Sequence, residues 1–133
     1  MKKTNTKFEI QVEITNTGYS AYSNIAFGET IFTTGDNITE LIDHLVESLN
    51  LLLEERNQYI DSGNLILNLD FKQFFDFYKV LNAKYLAERI GMNPSLLSQY
   101  INGKKLPSEK QKIKLLHGLN TIGNELIQLK YFH

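Results

Sequence analysis

The stretch Ala83–Lys105 reads AKYLAERIGMNPSLLSQYINGKK, and the architecture of the second half of the chain follows from it. Leu86, Ala87 and Ile90 form one apolar helical face, spaced i, i+1 and i+4. Gly91 predicts the end of that helix, because glycine accepts the left-handed backbone that closes a helix C-terminus. Asn93 offers a side-chain oxygen to cap a second helix, and Pro94 suits its first turn, where no backbone N–H is needed. Leu97 and Ile101, four apart, give the second helix its buried face, with Leu96 partly buried, and Asn102-Gly103 stops it. Two short helices joined by three or four residues that include a glycine make a helix-turn-helix unit.

The residues Leu86, Ala87, Gly91, Leu97 and Ile101, followed by N-G-K-K, resemble the XRE/Cro/λ-repressor-like helix-turn-helix family. In that family a small residue sits four before the turn glycine, where the two helices cross in contact; Ala87 and Gly91 match that spacing. The resemblance implies that the second helix enters the major groove of double-stranded DNA. An ordinary αα-hairpin would account for the short connection but not for the polar outer face. On a helical wheel the side opposite Leu97 and Ile101 holds Pro94, Ser95, Ser98, Gln99 and Asn102. Ser95, Ser98, Gln99 and Asn102 are therefore the candidate base-contacting residues, and a glutamine can pair bidentately with adenine. No arginine or lysine lies within the helix, so the strongest guanine contact is missing, which leaves room for shape readout and for dimerisation. Lys104 and Lys105, directly after the helix, and Lys84, near the start of the preceding one, are candidate phosphate contacts. Tyr100, where the family often places a tyrosine or tryptophan, joins them by resemblance. Such contacts position the protein without specifying sequence.

The formal net charge of −1 over 133 residues conceals a division. Residues 1–69 hold four bases against ten acids, a net −6, and residues 70–133 hold ten bases against five acids, a net +5. The basic half contains the helix-turn-helix and suits phosphate; the acidic half would repel DNA and attract a basic protein. Two domains are expected, 1–69 and 70–133.

In the first of these, Phe8, Ile10, Val12 and Ile14 alternate with polar residues, the pattern of a half-buried strand. Asn16-Thr17-Gly18 signals a hairpin, Tyr19 and Ala21 continue on a second strand, and a third is expected around Glu29–Thr33. Asn37, with Glu40 three further on, opens a helix whose apolar stripe is Ile38, Leu41, Ile42, Leu45, Leu49, Leu52 and Leu53. Leu65, Leu67 and Leu69 read as a strand that returns to the sheet. The result is a β-β-β-α-β layer pair. A hairpin followed by G-D-N-I-T-E-L at the start of a leucine-rich helix resembles the HicB antitoxin fold, with Gly35, Asp36 and Glu40 matching and Leu41 where alanine is usual. The P-D-x-P-G-C-like stretch that HicB proteins usually carry after the second strand is replaced by N-I-A-F-G-E-T at Asn24–Thr30. The resemblance implies a small basic HicA-like, RNA-cleaving toxin as partner.

Past Leu69 the pattern is helical throughout. Asp70 caps a helix with Phe71, Phe74, Phe75 and Tyr78 on one side. Leu106-Pro107-Ser108 reads as an apolar anchor, a stop and a cap. The next helix is expected to bury Ile113, Leu116 and Leu119. A last stripe of Leu119, Ile122, Leu126, Leu129 and Phe132, interrupted by Gly118 and Gly123, either closes this core or forms a dimer seam. The expected fold class is α+β: a HicB-like layer pair followed by an all-α five-helix λ-repressor-like domain.

Composition narrows the function classes. There is no cysteine, so neither a disulfide nor a thiolate metal site is possible, and His44, His117 and His133 lack metal-ligand spacing. Glu9, Glu13, Asp43 and Glu47 lie on polar faces and read as solvated surface. No nucleophile–base pair, paired-carboxylate site or phosphate-cradling glycine loop is visible, so no enzyme activity, metal or cofactor is expected. Met1-Lys2-Lys3 leads into polar residues and no apolar run reaches spanning length, which predicts a cytoplasmic protein that does not engage membranes. The expected function is a sequence-specific transcriptional regulator that binds an operator as a homodimer or higher homo-oligomer. Its particular form would be a HicB-type antitoxin and autorepressor. The alternative is a solitary XRE-family transcription factor whose N-terminal domain senses a ligand or oligomerises.

Overall fold

A computed structural model describes residues 1–25 and 28–133. The chain divides into two compact units, Met1–Phe74 and Phe75–His133, with the boundary inside one helix. Moving the division from residue 69 to 74 leaves the charges of −6 and +5 unchanged, because Asp70 and Lys72 cross together.

The first unit is built on β2 (Phe8–Thr15), β3 (Gly18–Asn24), β4 (Thr30–Gly35) and β6 (Leu65–Leu69), in the sheet order β4-β3-β2-β6. The β2–β3 and β3–β4 pairs are antiparallel, and β6 returns parallel to β2 with Ile10 opposite Leu67. Phe8, Ile10, Val12, Ala21 and Ile31 are buried on one face, as the period of two requires. The helix α1 (Ile38–Leu53) packs on this unit's sheet through Leu41, Leu45, Leu49 and Leu53, a four-residue spacing that keeps all four on one side. Each such leucine contributes roughly 1.5–3 kcal/mol of burial before conformational entropy is subtracted. Ile38, expected in the stripe, is instead exposed in the first turn. Asn37 caps α1, its side chain accepting the Glu40 amide at 2.9 Å.

Two features of this unit carry no periodic signal. A two-residue parallel pair joins β1 (Lys2–Lys3) to β5 (Gln58–Tyr59). Asn64, almost fully buried, donates to the carbonyls of Thr4 and Thr6 at 2.9 and 2.8 Å and accepts the Asp61 amide at 3.1 Å. One side chain thus ties the N-terminal segment to the turn that precedes β6.

The second unit begins inside α2 (Phe71–Phe77), in which Phe71 and Phe75 are buried while Tyr78 lies beyond the helix and exposed. It contains α3 (Ala83–Ile90), α4 (Pro94–Ile101) and α5 (Glu109–Ile127), then a 3₁₀ turn, Gln128–Tyr131. The expected five-helix count after Leu69 is corrected to four α-helices among the described residues. The last two expected helices are one, running through both Gly118 and Gly123. Gly118 does not break α5; it admits α3. A Cβ there would meet Ile90 Cγ1 at 2.5 Å, whereas a Cβ at Gly123 would meet nothing within 4 Å. The inner face of α5 is consequently Leu115, Gly118, Leu119 and Ile122, at i, i+3, i+4 and i+7, with Leu115 fully buried. Ile113 and Leu116 fall off that face and are exposed, contrary to expectation. Leu106 anchors nothing: it is 85 % exposed. Leu126, Leu129 and Phe132 are exposed as well, so the terminal stripe does not close the core.

Candidate nucleic-acid interface

The local chemistry of the turn places α4. Asn82 caps α3, its side chain accepting the Tyr85 amide at 3.2 Å. At the other end Gly91 has φ 77°. The Met92 amide reaches back to the Ala87 carbonyl at 3.0 Å, and the Gly91 amide to those of Ala87 and Glu88 at 2.9 and 3.3 Å. These are the paired bonds of a Schellman closure. Met92, the residue just past it, is buried with Leu86 and Ala87. Asn93 then caps α4, its side-chain oxygen accepting the amides of Ser95 and Leu96 at 2.8 and 3.2 Å, with Pro94 in the first turn.

The turn is also held from behind. Lys114 Nζ on α5 donates to the Gly91 carbonyl at 2.8 Å. Arg89 on α3 pairs with both carboxylate oxygens of Glu125 at 2.6 and 2.9 Å, which raises the guanidinium pKa further through that hydrogen bond and charge. Both partners are half exposed, so solvent screens most of this pair's contribution to stability.

Within α4 the buried residues are Leu97 and Tyr100, and Leu96 and Ile101 flank them half-buried. Leu97 is buried as the spacing predicts, but Tyr100, one position before Ile101, takes the second buried place. Tyr100 is only 4 % exposed, so its ring belongs to the packed side of the helix rather than to the outer face from which a phosphate contact was expected. Ser95, Ser98, Gln99 and Asn102 are all exposed and lie at i, i+3, i+4 and i+7, one stripe on the side away from the core. Asn102 Nδ2 donates to Ser98 Oγ at 3.3 Å. The stripe presents hydroxyl and amide groups, each able to donate and accept to base edges.

Gly103, at φ 73°, closes α4 as Gly91 closes α3. The Lys104 and Lys105 amides both donate to the Gln99 carbonyl, at 2.9 and 3.3 Å. The backbone of the two lysines is therefore fixed to the end of α4, and both side chains are exposed. Lys84, also exposed, lies in the first turn of α3 with its ammonium 5.7 Å from the centroid of the Tyr85 ring. The cap at Asn82 and the packing of Met92 were not read from the sequence. Asn82 carried a signal, an asparagine directly before an apolar-periodic run; Met92 carried one only as the residue past a closing glycine.

Among the described residues no group of three or more acidic or histidine side chains is arranged to hold a metal ion, and no helix is long and apolar enough to cross a membrane. Ala26 and Phe27, inside the stretch where the HicB-type P-D-x-P-G-C pattern would fall, lie outside the described residues. Comparison with curated proteins and with solved structures returns no match. Residues 81–122, about a third of the chain, match the Helix-turn-helix family model, which covers α3, α4 and α5 as far as Ile122. That match supports the reading of this stretch as an XRE-type helix-turn-helix of a DNA-binding transcription regulator.

Proposed function

We propose that the protein is a homodimeric, sequence-specific repressor whose acidic N-terminal unit takes a small basic protein partner. This is the arrangement of a HicB-type antitoxin that neutralises a HicA-like toxin and represses its own operon. The observation that carries the DNA half is the exposed stripe Ser95, Ser98, Gln99 and Asn102, followed at once by two exposed lysines whose backbone is fixed by the Gly103 closure. The polar stripe reads bases; Lys104, Lys105 and Lys84 hold phosphates. A recognition helix without a cation gains specificity when two copies read two half-sites. Support for dimerisation comes from the exposed Leu126, Ile127, Leu129, Tyr131 and Phe132 at the C-terminal end, an apolar cluster of the kind buried at the centre of homodimer interfaces. No catalysis is assigned to either unit.

The partner half rests on the charge of −6 in the first unit and on the succession β2, β3, β4, α1, β6, the β-β-β-α-β order on which the HicB resemblance rests. A specific observation keeps a second reading in view: the replacement of the P-D-x-P-G-C-like stretch by N-I-A-F-G-E-T favours a solitary regulator whose N-terminal unit senses a ligand or oligomerises. The test of the DNA half is protection of the region upstream of the protein's own reading frame. Two protected half-sites about 10 base pairs or a multiple apart, centre to centre, support a dimer. A complex of unvarying affinity on all duplexes would overturn sequence-specific regulation. A neighbouring reading frame for a short basic protein that co-purifies with this chain supports the antitoxin form; its absence selects the solitary regulator.

A further inference from the structure

An unassigned cleft lies at the β2–β3 turn end of the sheet, beside the start of α1. Ser20 pairs with Thr34 and Tyr22 with Phe32 across β3 and β4, so these four side chains alternate away from the buried Ala21 and Ile31. Between them and the start of α1 lies a cleft of about 370 Å³ whose lining includes Thr15, Ser20, Phe32, Thr34, Asp36 and Glu40. Two glycines allow its construction: a Cβ at Gly18 would meet the Gly35 carbonyl oxygen at 2.4 Å, and one at Gly35 would meet the Leu41 amide nitrogen at 2.5 Å. A His44 ring nitrogen, Nδ1, lies 2.6 Å from the Thr34 carbonyl oxygen, which ties the end of β4 to α1.

Four observations define what fits. The lining contains two carboxylates and no lysine or arginine. Phe32, on one wall, is 67 % exposed. Ser20 is buried to 8 % exposure, yet its hydroxyl has no hydrogen-bond partner among the described residues. The surrounding unit is net negative. Carboxylates beside an aromatic face and an unused hydroxyl suit a cation that is planar or compact, carries several N–H donors and brings an apolar stem. They do not suit phosphate, which rules against stacking of a nucleic-acid base on Phe32.

We propose that this cleft binds an alkylguanidinium or alkylammonium group. The head is shared between Asp36 and Glu40, donates to Ser20 Oγ, and lies against the ring of Phe32. The proposal deepens the reading of the acidic unit as the module for a basic partner, and it depends on that reading only for where the cation comes from.

The test uses the full chain and three probes in an NMR titration: N-acetylarginine amide, a short arginine-containing peptide, and a single-stranded RNA oligonucleotide. The arginine derivative is expected to shift the resonances of Ser20, Phe32, Thr34 and Asp36. Affinity should fall by at least about tenfold in the D36N/E40Q double variant, which keeps the Asn37 cap and removes only charge. Phe32→Ser, at an exposed site, should weaken the same probe with only a small drop in the unfolding midpoint, from the lost cross-strand pair with Tyr22. No shift in a large excess of probe, an equal shift in D36N/E40Q, or preference for the RNA would overturn the proposal. A peptide that binds more tightly than the free amide identifies a protein as the source of the cation. Equal binding supports the site, identifies a small organic cation as its ligand, and contradicts the basic-partner reading.

Discussion

Replacing Lys104 and Lys105 with alanine isolates the part of the interface that the geometry defines best. The two amides that hold this segment to the Gln99 carbonyl are backbone groups and survive the substitution. Neither side chain has an ion-pair partner among the described residues and both are exposed, so stability should move by no more than about 0.5 kcal/mol. Binding should move far more. Each phosphate neutralised contributes about 0.9 to the slope of log affinity against log salt, so two contacts contribute about 1.8 per copy and about 3.6 for a dimer. The same relation makes each contact worth about eightfold at 0.1 M salt, hence roughly sixtyfold for the pair in each copy. Fluorescence anisotropy between about 50 and 200 mM salt, on an operator and on a scrambled duplex, measures both quantities. Phosphate contacts by these lysines give an equal proportional loss on the two duplexes and a flatter slope. Unchanged affinity and slope would refute the docking of this segment on the backbone; a loss confined to the operator would mean that the lysines read bases.

Other consequences concern the scaffold. Gly118→Val should destabilise the second unit by about 1–3 kcal/mol, because its side chain must displace Ile90. Gly123→Ala, with open space around the added carbon, should stabilise it by up to about 1 kcal/mol; thermal unfolding of the two variants separates steric exclusion from helix propensity. Asn64→Ala should cost about 2–4 kcal/mol in denaturant unfolding, because the carbonyls of Thr4 and Thr6 and the amide of Asp61 lose their partner. The Lys3 ammonium, 3.2 Å from Asp61, holds that carboxyl below its ordinary 3.8, with the Gly63 amide adding to the effect. A depressed carboxyl stabilises the fold above its unfolded pKa and loses that contribution as pH falls through the folded value. Lys3→Met should therefore reduce stability at neutral pH and flatten its decline below about pH 4, read from unfolding midpoints across the acid range.

What was legible in the sequence was local. Gly91, Asn93, Pro94 and Ser108 announce helix ends through their own backbone preferences and side-chain oxygens, and each does in the structure what its chemistry implies. Alternation and the four-residue leucine spacing found β2 and α1 for the same reason. The sequence was less informative wherever a choice depended on what arrives from elsewhere. Whether Tyr100 or Ile101 turns inward is a difference of one position on the wheel, and packing decides it. A glycine in a helical run reads alike whether it breaks the helix or receives a neighbour; only the approach of Ile90 distinguishes Gly118 from Gly123. Because Gly118 receives α3, the inner face of α5 centres on Leu115, and Ile113 and Leu116 turn outward. Asn64 bonds residues about 60 positions away, and the cleft gathers side chains from three strands and α1, so neither leaves a periodic trace.

If the outer stripe of α4 reads base edges, Gln99 is its most discriminating member. The direct measurement is selection from a random duplex library with the native chain and with Gln99→Ala in parallel. The native chain should enrich an inverted repeat. Gln99→Ala should relax preference at one position in each half-site, costing about 1–3 kcal/mol on the native operator with the salt slope intact. Identical enriched sequences from the two proteins, or no enrichment by the native chain, would contradict base reading by this stripe.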